Sequence, residues 1–214
     1  MIAVPVVHAV TDDEILLRDD FPGVCREVAR ALGDRGAVHL RSRWLPGRRL
    51  YELALLLAEC ERETGCWAIV NDRLDVALAA GVRAVQLTSH SAGPAEARRL
   101  NPDLRVGASV HSAVDARIAE RDGADWCVAG TAFQTATHPG EPAGGPDLMR
   151  EIAASVRIPV ISIGGITPER APELAGTGIH GVATIRGIWN ASNVREASLS
   201  YLSAYVAGGN TSTD

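Results

Sequence analysis

The chain has 214 residues, 46% hydrophobic and 22% charged, with 21 basic against 26 acidic side chains and a formal net charge of −5. That is longer than a typical domain yet ordinary for one α/β barrel, and the apolar content excludes an intrinsically disordered chain. No basic tract resembles a nucleic-acid footprint and no apolar run is long enough to cross a bilayer, so neither nucleic acid nor membrane is an expected partner.

Residues 1–10 are apolar but short, carry no positive leader and run directly into Thr11-Asp12-Asp13, which fits neither a signal peptide nor a membrane span. Residues 5–10 are the first of eight short apolar runs, followed by 37–40, 67–70, 84–87, 105–109, 126–129, 159–163 and 181–183. Helical periodicity fills the gaps. It is clearest where Leu50, Leu53, Leu56, Leu57 and Cys60 line one face while Glu52, Glu59 and Arg62 occupy the other. Gly36, Gly65, Gly81, Gly123 and Gly178 stand at the returns, where a residue past a helix end often needs left-handed backbone. After the seventh run, Thr167-Pro168-Glu169 predicts an N-cap, an N1 proline and an early acid.

Runs apolar on both faces suit a buried parallel sheet. An open doubly wound sheet would usually carry a glycine fingerprint after its first strand, whereas this chain has Thr11-Asp12-Asp13 there. The expected fold is therefore α/β, a single (β/α)8 TIM barrel over residues 1–207 with a flexible tail at 208–214. Aromatic residues are only 4%, so Ala, Val, Leu and Ile must fill its core. Cys25, Cys60, Cys66 and Cys127 show no C-x-x-C pairing and read as reduced core thiols of a cytoplasmic protein.

In such barrels the loops following the strands build the active site. The candidates are Arg41 and Arg43 after the second run, Asn71 and Asp72 after the third, and Ser109 and His111 after the fifth. The long segment 130–145 after the sixth adds Thr131, Thr135, Thr137 and His138. Gly164-Gly165 and Ile185-Arg186-Gly187 follow the last two runs, where barrels often bind phosphate with backbone N–H groups. Two adjacent glycines leave that approach unobstructed, although they also suit a tight turn. Arg186 could add a charge-assisted contact to the same anion or point to solvent, and Thr135 and Thr137 could bond a substrate or their own turns.

Read together, these residues resemble the thiamine phosphate synthase family and its relative, the thiazole tautomerase. The likeness runs through His8-Ala9-Val10-Thr11-Asp12-Asp13, His39-Leu40-Arg41, Asn71-Asp72-Arg73-Leu74-Asp75, Gly107-Ala108-Ser109-Val110-His111, Phe133-Gln134-Thr135-Ala136-Thr137 and Ile161-Ser162-Ile163-Gly164-Gly165-Ile166. The synthase joins a pyrimidine methyl diphosphate to a thiazole phosphate, with magnesium screening the departing diphosphate, and needs two carboxylates. Asp72 matches the first, but Thr88-Ser89-His90-Ser91-Ala92 supplies no second acid, and His138 stands where the synthase has lysine. The tautomerase moves a proton to make a carboxythiazole phosphate aromatic and implies no metal.

His39, where synthases usually have Gln, and the Gln86–Ser89 loop favour the tautomerase branch, while Thr131 replaces its central histidine. The resemblance therefore implies a tautomerase-like isomerase acting on a thiazole phosphate without cofactor. His39 and His138 are its nominated proton carriers, with Thr131 beside them. The alternatives are a magnesium-dependent thiamine phosphate synthase, with Asp72 as a metal ligand, and a barrel that binds a thiazole phosphate without catalysis. Assembly into a homo-oligomer is left open.

Overall fold

The computed structural model describes residues 3–135 and 143–209, with side chains through 205. Eight strands, β1 (Val7–Val10), β2 (Gly36–Leu40), β3 (Trp67–Asn71), β4 (Ala84–Leu87), β5 (Arg105–Val110), β6 (Trp126–Gly130), β7 (Val160–Ile163) and β8 (Gly181–Thr184), pair in parallel and in sequence order. β8 closes back on β1, with Ala9 opposite Thr184. This is the expected (β/α)8 barrel, and every apolar run of the sequence overlaps one of its strands, to within a residue at the carboxyl end.

The helices around it are α1 (Asp13–Leu16), α2 (Phe21–Leu32), α3 (Gly47–Thr64), α4 (Leu74–Ala80), α5 (Pro94–Leu100), α6 (Ala113–Arg121), α7 (Gly145–Ala154), α8 (Arg186–Trp189) and α9 (Val194–Gly209). α3 buries Leu50, Leu53, Leu57 and Cys60 as its periodicity requires, while Glu52 and Arg62 are exposed. Of the expected tail, α9 takes in the first two residues, and residues 210–214 lie outside the described ones.

Strand alternation divides the core in two. Val10, Ala37, Trp67, Ile69, Ala84, Trp126, Val128, Ile161 and Ala183 point into the barrel. Neighbours such as Val7, Val38, Leu40, Val70, Val85, Val106 and Cys127 point out against the helices. Each fully buried Val, Leu or Ile contributes roughly 1.5–3 kcal/mol. Two of the nine aromatics close the base, where Trp67 and Trp126 meet edge to face with centroids 6.1 Å apart and the Arg105 guanidinium covers Trp67 at 4.2 Å. Gly107 makes this plug possible, because a Cβ there would overlap the Trp126 indole and the Gln86 side-chain oxygen.

Two local expectations are corrected. No α-helix follows β7: the chain makes only a 3-10 turn over Ala171–Leu174. A second proline, Pro172, removes a backbone donor one turn after Pro168, and Gly176 and Gly178 (φ 71° and 82°) end the segment before a helix can grow. Gly65, Gly81, Gly123 and Gly178 are left-handed as expected, but Gly36 is extended (φ −120°) and opens β2. Glycine is required there for closeness instead, since a Cβ would collide with Leu32.

All four cysteines are free and buried. Among the described residues no helix is long and apolar enough to cross a membrane.

Candidate active site

The carboxyl ends of the strands surround a cavity of about 510 Å³. Its floor is apolar, formed by Val10, Val128, Ile163 and Ala183. Of the nominated residues, His39, Arg41, Asn71, Ser109, Thr131, Thr135, Gly164, Gly165, Ile185, Arg186 and Gly187 all line it. Arg43 and Asp72 do not, and Thr137 and His138 lie outside the described residues.

The Gly164–Gly165 corner shows why glycine occupies both positions. Their φ values are 109° and 60°, and added Cβ atoms would meet Thr131 Cγ2 at 2.6 Å and overlap the Gln134 carbonyl oxygen. The glycines therefore let the β7 loop pack against the β6 loop. Phe133 N–H donates to Gly164 O at 3.0 Å and Ala132 N–H to Ile163 O at 2.9 Å, pinning that contact. The Gly164 and Gly165 N–H groups themselves donate to no described acceptor. Backbone donors rarely stay unpaired away from water, so two at a cavity wall form a ready anion contact.

Arg41, separated from them round the barrel by β8 and β1, has a guanidinium that makes no ion pair or hydrogen bond with another described residue. Burial lowers its pKa, and the like charge of Arg43 adds to the effect. The carboxylates of Asp72, Asp12 and Asp13 act on it only from a distance, and a partly buried guanidinium with its donors unused favours an incoming anion. Asp13 holds the loop that carries it: its carboxylate accepts from the Ser42 hydroxyl, from Arg43 N–H at 3.0 Å and from Trp44 N–H at 3.2 Å. Burial alone would raise the Asp13 pKa, but the bonds from Ser42, Arg43 and Trp44, with the Arg41 charge, hold it below the ordinary value. Arg186 is exposed at the β8 corner, likewise unpaired among the described residues.

The histidines divide by environment. His39 is buried with both ring nitrogens occupied, Nε2 at 2.8 Å from His8 Nδ1 and Nδ1 at 3.1 Å from the Asn71 amide. Burial lowers its pKa to about 4 despite the bond to Asn71. His111 is exposed at the cavity wall and donates Nδ1–H to Gly130 O at 3.0 Å, which turns the other face of its ring toward the opening.

The sequence did not single out Gln86, Thr88, Gln134 or Tyr201 as site residues, yet all line the cavity. A polar side chain inside an apolar strand was an available signal for Gln86. It is buried, accepting from the Trp126 indole N–H at 2.9 Å and donating to Ser109 Oγ at 3.1 Å. Tyr201 had no local signal. It reaches in from α9 to donate to Ile166 O at 2.9 Å, and its hydroxyl would clash with any Cβ at Gly187, so it braces the β7 and β8 corners together.

The donor set around Asp72 does not fit a protein-held magnesium ion. Asp72 Oδ1 already accepts both the N–H and the hydroxyl of Thr88, each at 2.9 Å. The Ser91 hydroxyl is turned back on Thr88 N–H and O, both at 3.0 Å. Among the described residues no three His, Cys, Asp or Glu side chains converge as a metal site. A hard cation asks for about six oxygen ligands, so one carboxylate here would hold magnesium only with substrate phosphate oxygens and water completing its shell.

A closed α/β barrel with unpaired amides and a partly buried arginine at its mouth defines a class of barrels that bind phosphorylated small molecules. More particularly, residues 7–188 match the family model described as thiamine monophosphate synthase, and the chain belongs to that family. It is 38% identical over 166 residues to the thiamine-phosphate synthase of Pyrococcus furiosus, covering 78% of this chain and 80% of that one. It is 36% identical over 200 residues to that of Chlorobium luteolum, covering 92% of both. The solved thiamine phosphate pyrophosphorylase from Pyrococcus furiosus superposes with a TM-score of 0.84 at 33% identity, over 95% of this chain and 96% of that one.

These matches overturn the expected tautomerase branch and the isomerase activity that went with it. That expectation weighed His39 and the missing second acid above the body of the chain, whereas the likeness to synthases extends over most of it. The side chains do not favour it either: Thr131 has no basic atom to take up a proton, and both nitrogens of His39 are engaged.

Proposed function

We propose that the chain is a thiamine-phosphate synthase, coupling a pyrimidine methyl diphosphate to a thiazole phosphate with release of diphosphate. Family membership supports the reaction, and one observation supports its geometry. The cavity has two separate anion contacts, the Gly164 and Gly165 amides and the Arg41 guanidinium, with an apolar floor between them. Two phosphorylated rings need such a pair of grips to meet in a fixed orientation, which lowers the entropic part of the barrier.

In this scheme the glycine corner, braced by Tyr201, holds the thiazole phosphate. Arg41, positioned by the Asp13 clamp, holds the diphosphate and neutralises charge as it departs. Val10, Val128, Ile163 and Ala183 exclude water from the ring faces. No step is assigned to a metal ion: Asp72 would hold magnesium only with the oxygens of the bound diphosphate completing its shell, and the ion would then screen the departing charge.

The experiment is to incubate purified protein with both substrates and follow diphosphate and thiamine phosphate together. Equal amounts of the two products, dependent on both substrates, are expected. Failure to exceed the buffer rate with both substrates saturating and magnesium supplied would overturn the assignment.

A further inference from the structure

A chain of buried polar groups runs along the barrel interior from its base to the cavity. His8 Nε2 lies 3.0 Å from Pro5 O at the lower end, and His8 Nδ1 lies 2.8 Å from His39 Nε2. His39 Nδ1 lies 3.1 Å from Asn71 Oδ1. Both rings are buried, at 0% and 1% exposure. Three contacts need three protons between them, and two neutral imidazoles carry only two.

The count fixes the direction of every bond. A carbonyl only accepts, so His8 Nε2 donates to Pro5 O, which leaves His8 Nδ1 bare. His39 Nε2 must then donate to it, leaving His39 Nδ1 bare in turn. A bare nitrogen calls for a donor, and an amide supplies one only through its NH2 end; amide oxygen and nitrogen are distinguished by the partners they find, so the count turns the Asn71 amide over and puts Nδ2 in the place where Oδ1 stands. The remaining way to fill the three contacts is an imidazolium. Burial, the largest influence on each ring, opposes it and outweighs the bonds to Pro5 and Asn71 that favour it; the proximity of His39 acts with burial on His8, and the Arg41 charge acts with it on His39. Neither ring has a carboxylate partner among the described residues.

We propose that His8 and His39 are positioning residues whose one-way hydrogen bonds turn Asn71 Nδ2 toward His39 and Asn71 Oδ1 into the cavity, selecting a substrate ring that presents an N–H donor there. Asn71 lines the cavity, and the second atom of its amide bonds to no described residue, so that atom is free to meet a ligand. A fixed acceptor discriminates more sharply than a rotating amide, because an analogue lacking the donor leaves a desolvated oxygen unpaired. The inference rests on the proposed synthase only for the identity of the ring; the bond directions belong to the free protein.

Nitrogen-15 NMR of the histidine-labelled chain at pH 7, without substrate, tests it directly. Both buried rings should show a protonated Nε2 and a bare Nδ1. A doubly protonated ring, or a proton on His39 Nδ1, would overturn the proposal whether or not the protein is a synthase. His39→Phe keeps an aromatic ring, somewhat larger than imidazole, and frees the Asn71 amide. It should erase most of a tenfold or greater preference for the amino-bearing pyrimidine diphosphate over an analogue lacking that N–H, while binding of inorganic phosphate is unchanged. A preserved preference in a folded variant refutes the positioning role, and if the variant does not fold, the NMR of the unmodified chain still decides.

Discussion

Replacing Gly165 by alanine isolates the steric demand of the phosphate corner when it is compared with Gly176→Ala. Both glycines are left-handed, at φ 60° and 71°, but a Cβ at 176 meets nothing within 4 Å whereas one at 165 runs into the Gln134 carbonyl and lies 3.0 Å from Phe133 Cβ. The backbone penalty common to both is about 1–2 kcal/mol. Overpacking against the β6 loop adds about 1–3 kcal/mol at position 165 alone. For a domain of this length each kcal/mol shifts Tm by roughly 2–4 °C. Gly176→Ala should therefore lower Tm by about 2–8 °C, and Gly165→Ala by about 4–20 °C. Thermal melts and titration with the thiazole phosphate give both readouts. The 165 variant should lose at least about tenfold in affinity, as one or two amide bonds to a charged group disappear, and the 176 variant should keep wild-type binding. Equal melting shifts with binding unaltered in both would refute the steric account of the corner.

Arg41→Gln should raise KM for the diphosphate substrate by roughly 10–100-fold, the loss expected for one charge-assisted bond, with little change in KM for the thiazole phosphate; initial-rate kinetics varying each substrate would show the split. Asp13→Asn should loosen the Ser42–Trp44 backbone, seen as faster amide exchange at Arg43 and Trp44. Because the folded Asp13 pKa is depressed, its ordering effect is complete above the unfolded value of about 3.9 and is lost as pH falls through the lower folded value. Wild-type amide exchange should therefore accelerate at those two residues below about pH 4, after correction for intrinsic rates, but not near neutrality. Calorimetry of the free protein with magnesium should detect at most millimolar affinity, and Ser91→Asp, which adds a second carboxylate facing the Asp72 loop, should tighten it at least tenfold; tight wild-type binding would contradict the donor set described above.

The barrel was legible because its determinants are local. Eight apolar runs separated by helical stretches state a parallel β/α alternation, and helix-ending glycines such as Gly65 and Gly81 mark several returns. The segment after β7 misled because Thr167-Pro168-Glu169 is a sound helix start whose continuation is vetoed four residues later by Pro172. The positions of site residues followed from the rule that loops after strands form the mouth, which located Arg41, Asn71 and Ser109. What each residue does there was less legible. The His8–His39 contact depends on how inward side chains of adjacent strands are staggered, since Val10 rather than His8 is paired with His39. Tyr201 belongs to the last helix, and nothing near it in sequence connects it with Ile166. The branch of the family was misjudged at single positions, where a substituted histidine or a missing acid outweighed similarity spread along the chain.

The tryptophan plug also governs traffic. With Trp67, Trp126 and Arg105 stopping the lower end, the described part of the barrel is a well that opens at the carboxyl ends of its strands. In the proposed coupling, a molecule resting against Val128 would arrive before whatever covers it and leave after it, so the floor that shelters the chemistry would also impose an order on turnover.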